Sequence, residues 1–230
     1  MGPSTLRTLA CMAMATSQAA AQTRPVVIAI LPFEDRGSYG QDKDVFRALA
    51  LGIPATLASE LRGHSELRIA DPTRIAQALQ SQRVGANARV DAATAARVGK
   101  DVGARYAVTG NFADFYGKFR LDARIVDTEN GQIVKVVSNN DPALQDRANL
   151  FRIIQMVAHR VLQQTSGEAP RSGSAEASNI PTEALSQYSL GLLYESQGEE
   201  NKAGEHYQRA LSALPDYRDA REGMRRVTAR

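Results

Sequence analysis

Val26 to Leu31 is an unbroken apolar run of strand length between Pro25 and Pro32, and it predicts a buried strand. The polar, glycine-bearing stretch from Phe33 to Asp44 reads as a loop. Beyond it the period lengthens: Val45, Leu49, Ile53, Leu57 and Leu61 recur at helical spacing, with Pro54 as a kink or a second start. Leu67 to Ala70 is a short strand. Asp71-Pro72 then opens a helix, the aspartate as N-cap and the proline in the first turn, with Ile75 and Leu79 as its apolar side. Asp91 caps another helix, Ala92 to Val102, which Gly103 closes.

Three strands follow. Tyr106 to Phe112 is the first, and Asn111 to Lys118 leads from it into the second. There Phe119, Leu121, Ala123 and Ile125 alternate with Arg120, Asp122 and Arg124, the period of a half-buried strand. Asn130-Gly131 predicts a tight hairpin into Ile133 to Val137. Asp141-Pro142 opens a closing helix whose Leu150, Ile154, Val157, Val161 and Leu162 form one stripe. Residues 24–164 therefore predict one α/β unit, a mixed sheet with flanking helices. Residues 165–179, rich in Ser, Gly, Ala and Glu, read as a flexible linker to a helical unit over 180–230. Within it, Tyr217 to Val227 is a charged capping helix.

That unit resembles a tetratricopeptide repeat. Leu190, Gly191, Tyr194, Ala203, Tyr207, Ala210 and Pro215 stand in the order and spacing of a repeat of about 34 residues. Gln187 occupies the position of its bulky aromatic, with Tyr188 next door. Gly191 and Ala203 are small where two helices cross, Tyr194 and Tyr207 fill the space beside them, and Pro215 ends the second helix. The resemblance implies a unit that holds partners, with Tyr188 and Leu192 as the contact candidates. The alternative is a cap packed on the α/β unit, since about three repeats make a stable array.

The chain start has the form of a signal peptide over residues 1–22: Arg7, an apolar run from Leu9 to Ala15, and Ala19-Ala20-Ala21 before Gln22. Cys11 is the only cysteine. Thr8-Leu9-Ala10-Cys11 is a poor lipoprotein box, because threonine replaces the leading aliphatic residue, so lipid anchoring is the lesser expectation. Cleavage after Ala21 leaves a mature chain without thiols. No segment approaches the ~18 apolar residues of a membrane span.

Four fragments carry a second resemblance: Ile28-Ala-Ile-Leu-Pro-Phe33, Gly52 to Leu61, Gly103-Ala-Arg-Tyr-Ala-Val-Thr-Gly110, and Arg124-Ile-Val-Asp-Thr-Glu-Asn-Gly-Gln-Ile133. In this order they resemble the CsgG and TolB amino-terminal-like periplasmic α/β domains, over residues 26–164. The resemblance implies a periplasmic, non-enzymatic envelope assembly protein that works through protein partners, among them a second copy, with peripheral association at the outer membrane. It departs from the pore-forming members: a spanning hairpin needs ~9 to 11 residues per strand, and Asn111 to Lys118 leaves no room for one.

Composition adds exclusions. The net charge of +3 is dispersed, with Lys and Arg alternating with Asp and Glu, which excludes the basic stripe of a nucleic-acid binder. His64, His159 and His206 lack metal-ligand spacing, and Val98-Gly99-Lys100 lacks the leading glycine and trailing hydroxyl of a phosphate loop. No catalytic constellation and no cofactor is expected. Two binding candidates are left. Lys118, Arg120 and Arg124 line one strand face, joined there by Asp122 and, from the next strand, Lys135; Glu34 and Asp35 form a candidate ligand loop where open α/β sheets bind ligands. The leading reading is an exported scaffold whose linker lets the repeat search for partners; the alternative is a small-ligand-sensing regulatory domain.

Overall fold

Five strands form one mixed sheet in the order β2-β1-β3-β4-β5. β1 (Val26–Asp35) pairs in parallel with β2 (Leu67–Ile69) and β3 (Tyr106–Phe115); β4 (Lys118–Asp127) and β5 (Ile133–Ser138) add antiparallel. The computed structural model describes residues 24–40, 42–85, 89–139, 145–166 and 179–229. The signal-peptide segment, Cys11, Asp141-Pro142 and most of the linker stretch lie outside the described residues. Parallel neighbours need crossovers. α1 (Lys43–Leu61) links β1 to β2, whereas α2 (Pro72–Ser81) and α3 (Ala92–Asp101) link β2 to β3. The two crossovers run in opposite directions across β1, so crossovers of one hand lie on opposite faces. One core accordingly joins Ile28, Val108 and Leu121 to α1 and to α4 (Leu150–Ser166); the other joins Ala29, Ala107 and Val126 to α2 and α3.

The expected mixed α/β class is the class observed, and the caps of α2 and α3 are as read. Asp71 accepts from the Thr73 and Arg74 amides, and Asp91 accepts from the Thr94 amide. Other boundaries need correction. β1 does not stop at Pro32: its register against β3 shifts between Ile30 and Phe33, which accommodates a residue without an N–H, and Phe33 continues the strand fully buried. The passage between strands, read over Asn111 to Lys118, is shorter than expected. β3 and β4 each have 10 residues and meet at a two-residue turn, Tyr116-Gly117. Strand length thus no longer argues against a pore, but Ala107 to Asp114 are all buried within the sheet.

The β4–β5 turn is wider than a two-residue hairpin. The Asp127 N–H donates to the Gln132 carbonyl at 2.9 Å, enclosing Thr128 to Gly131. The register also shifts between Ile125 and Val126. Asp146 caps the 3-10 turn Arg147–Asn149 that leads into α4, accepting from the Ala148 amide at 2.8 Å. The apolar stripe of α4 is buried as expected.

α5 (Thr182–Ser196), α6 (Glu200–Ala213) and α7 (Arg218–Thr228) complete the chain. Tyr207 of α6 is fully buried between two glycines: a Cβ on Gly191 would stand 2.4 Å from its ring, and one on Gly223 2.6 Å. Its hydroxyl donates to Glu195, which Arg226 of α7 grips with two bonds of 2.9 Å. These helices do not float on a tether. Ala184, Leu185, Tyr188, Tyr217 and Ala220 share one core with Ile53 and Leu57 of α1, and the Ser59 hydroxyl donates to Asp219 at 3.0 Å. The free searching arm expected above is corrected to a docked layer. The cause lies in α1, which carries buried residues around its whole circumference, from Phe46 and Ala48 to Gly52, Thr56 and Ala58. A sheet covers only one side of such a helix.

Two outcomes follow. A methyl at Gly52 would meet the Ser189 hydroxyl at 1.8 Å, closer than any real contact. Gly52→Ala is therefore expected to destabilise the chain by about 1 to 3 kcal/mol in urea unfolding, with partial recovery in Gly52→Ala/Ser189→Gly. At the opposite sheet face Arg105 grips Asp127 with bonds of 2.6 and 2.8 Å. The hydrogen bond from Arg105, aided by the Glu129 amide, holds the Asp127 carboxyl at about 2, below the ordinary 3.8. A lowered carboxyl stabilises the fold above its unfolded pKa, and that contribution fades as pH falls from 3.8 towards 2. Asp127→Asn should flatten the acid limb of stability against pH in that window; an unchanged slope would refute the assignment.

Candidate partner-binding surface

α2 and α3 pack on only part of their sheet face. Further along the same face the register sets Phe115 beside Lys118, Ala113 beside Arg120, Asn111 beside Asp122, and Thr109 beside Arg124. Val136 of β5 sits opposite Arg124, and Ser138 opposite Asp122. Lys118, Arg120 and Val136 face solvent there, Arg120 at 65% and Val136 at 53% exposure, whereas Thr109, Asn111 and Ala113 are buried and Asp122 and Arg124 half-buried. Arg120 Nε lies 3.1 Å from Asp122 Oδ2, an exposed pair worth little to stability. Lys118 and Arg124 have no carboxylate partner among the described residues. The expected cationic strip is thus present over Lys118, Arg120 and Arg124. Lys135 does not join it: the β5 register sets Lys135 opposite Ile125, on the other face.

At one end the strip meets an aromatic cluster that the sequence reading passed over. Tyr39, from the β1–α1 connection, pairs with Phe115 as an isolated bridge. Its ring stacks on Phe115 at 5.6 Å and on Tyr116 at 6.4 Å. The three are exposed by 56%, 49% and 85%, in a chain with only 7 tyrosines and 6 phenylalanines. Tyr116 also holds a left-handed backbone, φ 51°, in a turn position that favours asparagine or glycine.

Beneath the rings lies a buried polar network. Asp114 is 1% exposed; its Oδ1 accepts from the Gly117 amide at 2.7 Å, and its Oδ2 lies 3.3 Å from Arg147 Nε. Arg147 also reaches Asp42 at 3.2 Å and stacks over the Phe46 ring. Its own amide donates to the Gly117 carbonyl. On the other side Ser38 Oγ accepts from the Asp114 amide at 3.0 Å and donates to Asp35 at 2.7 Å, and the Tyr39 amide donates to the Asp114 carbonyl. Both segments that carry the rings are anchored to one residue, the turn through the Asp114 carboxylate and the Tyr39 segment through the Asp114 backbone. The surface is preorganised by the fold itself, the condition under which a binding surface loses least entropy.

The remaining predicted residues fall elsewhere. Glu34 and Asp35 are not a loop but the end of β1, paired with Asn111 and Phe112. Asp35 is already engaged, accepting from the amides of Gly37 and Ser38 as well as the Ser38 hydroxyl. Tyr188 is buried at 5%, in ring contact with Tyr207 and Tyr217. Burial pushes its hydroxyl well above the ordinary tyrosine range. As a surface contact it is corrected: α5 turns this ring into the chain's own core. Leu192 and Tyr194 are partly buried against that core, while Leu190, Ala203 and Ala210 are buried and Pro215 is exposed just past α6. Gln187 receives an explanation, because its amide oxygen meets His206 Nδ1 at 2.7 Å and His206 stacks on Tyr194. Desolvation lowers the His206 pKa. No group of His, Cys, Asp and Glu among the described residues could hold a metal ion, and no helix among them is long and apolar enough to cross a membrane.

The chain defines a mixed α/β domain with a C-terminal helical layer. No family model matches it, and no curated protein does. Among solved structures it is similar to the LpoB C-terminal domain from Salmonella enterica, at 16% identity over 53% of this chain and 86% of that one, TM-score 0.38. It is similar to TolB from Acinetobacter baumannii at 18% identity over 63% of this chain and 29% of that one, TM-score 0.41. A lipoprotein from Neisseria meningitidis matches at 13% identity over 60% of this chain and 96% of that one, TM-score 0.38. Likenesses of this size say nothing of activity.

Strain and burial give opposite outcomes for two neighbours. Tyr116→Asn relieves a left-handed tyrosine and is expected to leave stability unchanged or raise it by about 1 kcal/mol. Arg147→Met leaves the Asp114 carboxylate buried without its cation and is expected to cost about 3 to 5 kcal/mol. Thermal unfolding of both variants tests the division between surface and support.

Proposed function

We propose that this chain is an exported, non-catalytic protein of the bacterial envelope that binds protein partners through the open sheet face. The observation that carries this reading is the anchored Tyr39, Phe115 and Tyr116 cluster continuous with Lys118, Arg120 and Arg124. Tyrosine and arginine are the residue types that dominate binding hot spots. A preorganised apolar patch with a cationic flank suits a partner with an apolar anchor and acidic residues beside it. The signal-peptide pattern and the four fragments resembling the CsgG and TolB-like domains support export and envelope assembly. The division into an α/β domain over 24–164 and a tetratricopeptide-like unit over 180–230 belongs to the same proposal. In it the helical unit acts chiefly as the cap on α1, because its Tyr188 face is occupied internally.

Crosslinked capture from envelope extract, using the intact mature chain, tests the reading. The variant Tyr39→Ser/Phe115→Ser/Tyr116→Asn and the variant Arg120→Glu/Arg124→Glu should each lose at least ten-fold of a specific partner at unchanged melting temperature. A partner retained by both variants would place the interface elsewhere. Truncation at Thr165 is the poorer experiment, since it uncovers the second apolar face of α1.

A further inference from the structure

A second feature lies at the other end of β1. Where β2 hands over to α2 there is an open cleft of about 320 Å³, walled by Val27 and Val102 and lined by Arg62, Arg68, Asp71 and Arg74. It draws on the first turn of β1, the ends of α1 and α3, and the β2–α2 junction. Val27 and Asp35 are separated by most of β1, on the order of 25 Å at the rise of a strand. The cleft is therefore distinct from both the Glu34–Asp35 segment and the aromatic cluster.

Its charge is out of balance: three arginines face one aspartate. Asp71 is committed to the α2 N-terminus, where it accepts from the Thr73 and Arg74 amides at 2.7 and 3.4 Å, and those bonds hold its carboxyl below the ordinary range. Arg74 makes only a 3.5 Å contact to the Asp101 carbonyl. Arg62 and Arg68 form no ion pair or side-chain hydrogen bond with a described residue; Arg62 acts on Asp219 only at longer range. By contrast, Arg105 is matched by Asp127, Arg147 by Asp114 and Arg226 by Glu195. Each of the cleft arginines offers a planar fork that matches a phosphoryl group with two charge-assisted hydrogen bonds. The volume stands at the low end of small-molecule sites, which excludes a dinucleotide and admits one or two phosphoryl groups.

We propose that the Arg62–Arg68–Arg74 cleft binds a small phosphorylated ligand, with Arg68 and Arg62 as its principal anion contacts. The phosphate can come from a free metabolite or from a lipid headgroup, and the test separates the two. Thermal unfolding of the mature chain is followed against pyrophosphate, with sodium chloride at matched ionic strength as reference. In parallel, the chain is sedimented with phosphatidylglycerol vesicles and with phosphatidylcholine vesicles. Binding in either arm is expected to weaken at least ten-fold in Arg68→Ala and in Arg62→Ala, and to persist in Arg120→Ala. Arg68→Lys should recover only part of it, since lysine keeps the charge and loses the fork. Pyrophosphate stabilisation assigns a free ligand, and retention on phosphatidylglycerol vesicles alone assigns a headgroup. The proposal is overturned by binding in neither arm, or by binding that Arg120→Ala weakens as much as Arg68→Ala does. All of these side chains are exposed, so loss of folding does not confound the result.

Discussion

The structure depends on a helix with no polar side. α1 buries Phe46, Leu49, Ile53 and Leu57 in the same core as the sheet, and it also buries Gly52 and Thr56, with Gly52 against Ser189 of α5. One sheet can satisfy only one face of a cylinder. The other face must be covered, and α5 and α7 cover it. At roughly 25 cal/mol per Å² of apolar area removed from water, covering even a few such side chains amounts to several kcal/mol. This is comparable with the whole net stability of a typical domain. The C-terminal helices are thus bound to the α/β unit by the same force that folds it, whatever path the intervening residues take.

Much of this was legible where periodicity was undisturbed. The alternation from Phe119 to Ile125, the caps at Asp71 and Asp91, and the stripe from Leu150 to Leu162 all appear in the elements expected. Three features were misread because a local rule was overridden by its surroundings. Pro32 looked like a strand end, but a register shift let the strand continue past a residue lacking a donor. The strand read to end at Phe112 runs on to Phe115, because Asn111 and Asp114 are buried polar residues and Asp114 has amide and guanidinium partners. The apolar stripe of α1 was counted at Val45, Leu49, Ile53, Leu57 and Leu61, while small residues on its other side, Ala48, Gly52, Thr56 and Ala58, carried the second signal. Small residues mark close helix approach as surely as large ones mark a core, and they are easily passed over in a hydrophobicity count.

The candidate surface was legible by half. Its cations stand on one face because a strand has period two, which is readable from Lys118 to Arg124. Its rings come together only through tertiary structure. Tyr39 and Phe115 are far apart in the chain, and their contact requires β1 and β3 to be parallel neighbours of nearly equal reach. The one local clue was Phe115-Tyr116-Gly117 between two strand-like runs, a hairpin tip with a tyrosine where the backbone favours a smaller residue.

The docking of α5 on α1 is what directs the proposed binding surface to the sheet. A helical pair whose inner face is filled from within, Tyr207 against Gly191 and Tyr217 against Tyr188, has little left to offer there. The proposed surface accordingly lies on the part of the sheet that no helix covers. A left-handed tyrosine and stacked exposed rings are poor choices for a surface whose sole task is solubility. They are consistent with a surface shaped for something that covers it.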